Sequence, residues 1–146
     1  MAIDMKVKDE PDTRSFDECF PDVDPGLEVK GDRVLVQLRR EKFKSKGGIV
    51  LVAETRETIR YNETVALVKQ IGPLAYKSPD DLTPWPEGPW CAVGDIVTTI
   101  KWGGSRHVVD PDDGGPPVVF IVIQAREIVA KIKSFEAAQK LKAFVD

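Results

Sequence analysis

The chain has 146 residues, 42% of them hydrophobic and 31% charged, with a formal net charge of −3. That length suits one domain, and that apolar content suits a buried core, so a wholly disordered chain is excluded. The longest uncharged apolar run, VVFIVI at 118–123, is too short to cross a bilayer, and the N-terminus lacks the basic-then-apolar order of a secretory signal, so a soluble, unexported protein with no membrane partner is expected.

Residues 1–28 hold nine acids against three bases and contain Pro11, Pro21 and Pro25. They read as an acidic N-terminal extension, mostly extended or disordered, with Phe16, Cys19 and Phe20 able to dock on a neighbouring surface. At GDRVLVQLRR the pattern changes: Val34, Val36 and Leu38 alternate with Leu35 and Gln37, which predicts a strand. Residues 29–60 hold nine bases against four acids. A basic block of that kind raises nucleic-acid binding as a possibility, but it has one aromatic, Phe43, and no reading motif, so a solvated basic loop at 39–60 is expected and no nucleic-acid partner. Inside that loop Gly47 and Gly48 precede an apolar stretch, Ile49, Val50, Leu51 and Val52. The stretch reads either as a docking element on a polar arm or as one more barrel strand with a basic edge.

ETVALVKQIG at 63–72 predicts a second strand. Residues 73–90 carry five prolines and three large aromatics, Tyr76, Trp85 and Trp90. Neither helix nor central strand survives that proline density, whereas the aromatics predict an ordered, roof-like excursion that packs on something. A Gly-Asp turn then leads into a strand from 96 to 101, stopped by Gly103 and Gly104. DPDDGGPP at 110–117 is a turn cluster, and 118–123 predicts a strand buried on both faces. AREIVAKI at 125–132 fits helix or strand equally by period. Ser134 caps an amphipathic helix over 134–146, with Phe135, Ala138, Leu141 and Val145 at helical spacing. About five short strands separated by turns predict a small all-β barrel or sandwich over 29–133.

Reactive groups are sparse. His107 is the single histidine, and neighbours Ser105 and Asp110 do not make a triad by sequence proximity. DPDDGG lacks the glutamate that closes a calcium loop, and Cys19 and Cys91 have no metal-ligand spacing. No catalytic residue, metal or cofactor is expected, and two distant cysteines suit a reducing compartment such as the cytoplasm.

GDRVLVQLRR, KSKGGIVL, VGDIVTTIKWGGS and a closing strand with REIVAKI, in that order, resemble the chaperonin-10 co-chaperonins, the GroES-like lids of chaperonin cages. The resemblance covers 31–72 and 92–132. It implies an irregular GroES-like β-barrel in a seven-membered homo-oligomeric ring, with the first strand of one subunit, through Val34, Val36 and Leu38, paired to the closing strand of the next, through Ile128, Ala130 and Ile132. It reads 125–132 as strand. It makes 39–60 a mobile loop whose Gly47-Gly48-Ile49-Val50-Leu51 docks on chaperonin-60 apical domains. It sets Trp85, Trp90 and Trp102 at the chamber or roof, around unfolded client proteins, with ATP hydrolysed by the partner. The chain departs from the family in its N-terminal extension, its C-terminal helix, its longer proline-rich insert and Val52 in place of a common proline. Such divergence suits a virus-encoded member acting in a host cytoplasm. A non-enzymatic β-barrel structural or adaptor protein, assembled through its two extensions without any chaperonin, is the competing reading.

Overall fold

Alternating apolar residues at Val34, Val36 and Leu38 point one face of a strand inward, and that strand is the centre of the fold. The computed structural model describes residues 13–41, 63–100 and 104–141. Six strands, β1 (Arg33–Leu38), β2 (Val65–Ile71), β3 (Ile96–Thr99), β4 (Ser105–Val109), β5 (Val118–Gln124) and β6 (Ile128–Lys131), form one antiparallel sheet in the order β4-β5-β1-β2-β3-β6. A 3-10 turn, Ala125–Glu127, separates β5 from β6, so the ambiguous 125–132 segment resolves into a turn and a strand. Two short helices flank the sheet, α1 (Phe16–Cys19) and α2 (Phe135–Lys140).

The inner face gathers Val34, Val36, Leu38, Ala66, Val68, Val97, Val119, Ile121, Ile123 and Ile128 into one core. Side chains alternate along a strand, so the next residues point outward. Here the outward face is also covered. Leu35, Val118 and Phe120 pack with Val29, Val23 and Leu27 of the N-terminal segment. Val65, Leu67 and Ile132 pack with Cys19, Phe20 and Ala138. Gln37, buried on this side, donates from Nε2 to the Pro21 carbonyl at 2.9 Å. Apart from α1, residues 13–28 form no helix or strand, and Cys19 and Phe20 of this segment are buried against the sheet. A capping box, Ser15 with Glu18, starts α1, and a few apolar side chains anchor the rest.

Two irregularities bend the sheet. Between β1 and β2, Leu35 faces Gln70 and Val36 faces Val68, so Lys69 is an extra residue. Between β3 and β6, Thr98 faces Ala130 and Thr99 faces Ile128, which leaves Val129 as the extra one. Bulges of this kind increase local twist and curl a sheet around its core. Strand β4 pairs with β5 over Ser105–Val109 and makes a sixth strand where the sequence pattern predicts about five. After β2 the chain turns at Gly72, whose amide donates to the Arg33 carbonyl at 2.8 Å. A Cβ at Gly72 would collide with the Gly31 and Arg33 carbonyl oxygens. Gly72→Ala is expected to lower stability by about 1–3 kcal/mol, the usual cost of overpacking. A urea midpoint equal to that of the parent would contradict this close approach.

Candidate functional site

Most of the expected docking arm lies in the 42–62 segment, so Gly47, Gly48, Ile49, Val50 and Leu51 fall outside the described residues, as does Trp102. What the structure describes is the root of that segment. The chain leaves the sheet after β1 at Glu41 and returns to β2 at Glu63. The Arg39 amide donates to the Val65 carbonyl at 2.9 Å, so exit and return lie side by side.

Three charged residues form the root. Arg39 grips Glu63 with two bonds from Nη2 at 3.0 and 3.1 Å and one from Nε at 3.3 Å. Both side chains are almost wholly buried, at 5% and 4% exposure. Burial pushes the Glu63 carboxyl up, while Arg39 and the Val65 amide, which donates to Oε1 at 2.9 Å, pull it back. Arg40 takes the other direction. Its guanidinium meets Asp113 bidentately at 2.8 and 2.9 Å and donates from Nε to the Pro116 carbonyl at 2.9 Å. The turn cluster at 110–117 is thus tied to the root. Hydrogen bonds from Arg40 and from the Gly115 amide hold the Asp113 carboxyl down at about 2. A carboxylate depressed from the ordinary value near 4 contributes stability above that value and loses it as pH falls through about 2. An NMR titration of Asp113 is therefore expected to find its midpoint near 2; a midpoint near 4 would show that the pair does not form in solution.

The expected subunit-pairing residues divide. β1 pairs with β2 on one edge and β5 on the other along its length. Val34, Val36 and Leu38 are core side chains, and no edge of Arg33–Leu38 is left for a neighbour's strand. The pairing assigned to these three residues is corrected on that ground: a sheet edge that already holds a strand accepts no second one. β6 differs. It pairs only with β3 among the described residues and stands at the end of the sheet. Ile128 enters the inner core and Ile132 the outer one, whereas Ala130 is exposed and Val129 is 63% exposed. Along this edge runs an open groove of about 380 Å³ lined by Glu87, Pro89, Trp90, Ile128, Val129, Ala130 and Lys131.

The proline-rich insert folds back onto the core through Tyr76, which adopts a left-handed backbone at φ +61°. Its hydroxyl donates to the Ala125 carbonyl at 2.9 Å, and burial pushes it far above its ordinary value. Trp85 and Trp90 pack against Tyr76 at ring distances of 5.4 and 5.6 Å and against each other at 5.0 Å. Both tryptophans are partly buried against the inner core, and the Trp90 Nε1 has no hydrogen-bond partner among the described residues. Cys91 lies beside the Tyr76 hydroxyl at 3.5 Å, and both cysteines are buried and not joined in a disulfide. His107 stands on β4 with Ser105 Oγ at 3.2 Å from Nε2.

The sequence pattern missed Arg39, Arg40 and Glu63. The signal in the sequence was a charged pair directly after one strand and an acid two residues before the next, a pattern that a solvated loop shares.

Residues 27–132 match the Chaperonin 10 Kd subunit family. A Co-chaperonin GroES of Tetragenococcus halophilus is 30% identical over 107 residues, covering 73% of this chain and 99% of that protein. Another from Pseudothermotoga lettingae is 29% identical over 103 residues, covering 70% of this chain and 92% of that protein. A third, from Caulobacter sp. strain K31, is 34% identical over 83 residues, covering 57% of this chain and 78% of that protein. With the six-stranded antiparallel sheet, these matches make the fold GroES-like. The chain belongs to the chaperonin-10 family.

Proposed function

We propose that this chain is a co-chaperonin that caps an ATP-dependent chaperonin cage and encloses unfolded client proteins. The observation that carries this reading is the family match across the whole barrel, 27–132, with the 42–62 segment leaving and rejoining the sheet at one point between β1 and β2. Ile49, Val50 and Leu51 supply the apolar contact to a chaperonin-60 apical domain, with Gly47 and Gly48 permitting a sharp turn. ATP is bound and hydrolysed by the partner and not by this chain. Each contact is weak, and a homo-oligomeric ring, a heptamer in this reading, makes later contacts intramolecular. The edge of β6 that is unpaired among the described residues, with its groove against Pro89 and Trp90, supports assembly by strand addition through Ile128, Ala130 and Ile132. The neighbour contributes a segment other than β1. Trp85, Trp90 and Trp102 belong to the roof and chamber wall. Two buried cysteines that form no disulfide suit a cytoplasmic setting. Capture by a purified chaperonin, with and without ATP, tests the proposal. Nucleotide-dependent capture is expected, and equal retention in both conditions, or none, would overturn it.

A further inference from the structure

Two segments outside the family match meet at the root of the 42–62 segment. From the C-terminal side, the α2 carbonyl of Ala138 accepts a bond from Arg39 Nη1 at 2.7 Å. Gln139 Nε2 donates to the Arg14 carbonyl at 2.7 Å, which links the two ends of the chain. From the N-terminal side, Arg14 Nη1 donates to the carbonyls of Arg40 at 2.7 Å and Glu41 at 3.2 Å. The Arg40 amide donates to the Cys19 carbonyl at 2.8 Å. Beneath these bonds lies an apolar pad of Cys19, Phe20, Val65, Leu67, Ile132 and Ala138, with Phe16 set against Phe20 and Phe135 at 5.4 and 5.6 Å.

We propose that residues 13–20 and 134–139 form a brace that fixes where the 42–62 segment leaves and re-enters the barrel, with Arg14, Arg39 and Gln139 as positioning residues for docking on the chaperonin. The inference rests on the reading of that segment as the docking arm. Its physical basis is preorganisation. Every backbone residue that must be ordered on binding opposes binding, and residues already held in the free protein are exempt. The acids and prolines of the N-terminal extension do not prevent this, because the brace uses backbone carbonyls and a handful of apolar side chains. A core barrel of 27–132 has none of these contacts, so the brace is an addition peculiar to the extended chain. The effect is repeated in every subunit of a ring, so a modest gain per arm becomes a large one in total.

The test uses full-length variants in the assembled protein. Arg14→Ala with Gln139→Ala cuts the three links those side chains make, leaving Arg39 on the Ala138 carbonyl and the Arg40 amide on the Cys19 carbonyl, and Ala138→Glu dislodges α2 from the pad. Two quantities are read: hydrogen exchange at the Arg39 and Arg40 amides, and affinity for a purified ATP-bound chaperonin. Exchange is expected to speed up and affinity to fall by roughly tenfold or more, with the oligomer mass unchanged. Arg14→Lys, which keeps a charged donor, is expected to restore part of the affinity. Faster exchange with unaltered affinity would overturn the positioning role while leaving the docking reading intact, and unaltered exchange would show that the Arg14 and Gln139 links do not hold the root. A parent protein that fails to bind would remove both readings. If Ala138→Glu does not fold, the double alanine variant decides alone.

Discussion

Replacing Arg39 by alanine is expected to destabilise the fold by about 3–5 kcal/mol, because it strands a buried carboxylate. Arg39 and Glu63 are almost entirely shielded from water, and among the described residues Arg39 makes the charged contacts to Glu63, besides a weaker influence from Arg14. With the guanidinium gone, the Glu63 carboxyl would keep, among the described residues, the hydrogen bond from the Val65 amide at 2.9 Å. The deficit should depend on pH in one direction. A buried acid whose folded value lies above its unfolded value, near 4.3, contributes least destabilisation below that value and most above its folded one. Urea unfolding of Arg39→Ala is therefore expected to show a gap from the parent that narrows as pH falls from 8 towards 5. A gap that is constant with pH would mean that solvent reaches Glu63. Replacing both partners, Arg39→Met with Glu63→Leu, should recover most of the loss, since apolar pairs of similar volume commonly substitute for buried ion pairs without penalty. The same double variant severs the Arg39 bond to Ala138, so recovered stability with weakened chaperonin binding would separate folding from positioning.

The second large effect concerns the 42–62 segment. Ile49→Asp and Leu51→Asp are each expected to abolish capture by the chaperonin and to leave the mass of the oligomer unchanged. Burial of an aliphatic side chain is worth roughly 1.5–3 kcal/mol, and ordering the backbone costs on the order of 1–2 kcal/mol per residue. A single arm on that balance binds weakly, so replacing one apolar contact with a charge removes the margin. Several arms in one ring multiply the loss, since every subunit carries the change. Mass photometry for the oligomer and capture on an ATP-loaded chaperonin would check both halves. Normal capture by either variant would move the docking element elsewhere in the chain.

The strands were legible where burial on one face leaves a period of two in the sequence. Val34, Val36 and Leu38 announced β1, and the continuous run at 118–123 announced β5, whose two faces are indeed covered. What the pattern could not show was which edge of β1 stays free. Strand pairing depends on residues far apart in sequence, and β2 and β5 occupy both edges. β4 escaped notice because SRHVV lacks alternation, with Val108 exposed and the strand paired, among the described residues, with β5 alone. Which surface the N-terminal segment docks on was not legible for a related reason. Its charge and prolines dominate any local average, whereas its structure rests on Cys19, Phe20 and Val29 finding the outer face of a distant sheet. The capping box at Ser15 and Glu18 was the local signal available there, as the Ser134 cap was for α2. The root of the 42–62 segment joins residues 14, 39, 63 and 138–139, and no local window holds all of them.

Protection of a client tests the central claim most directly. An unfolded substrate is loaded into a purified chaperonin, this protein and ATP are added, and the mixture is treated with protease. Enclosure predicts that the client survives only when both are present. Digestion at the same rate with and without this protein would contradict the account.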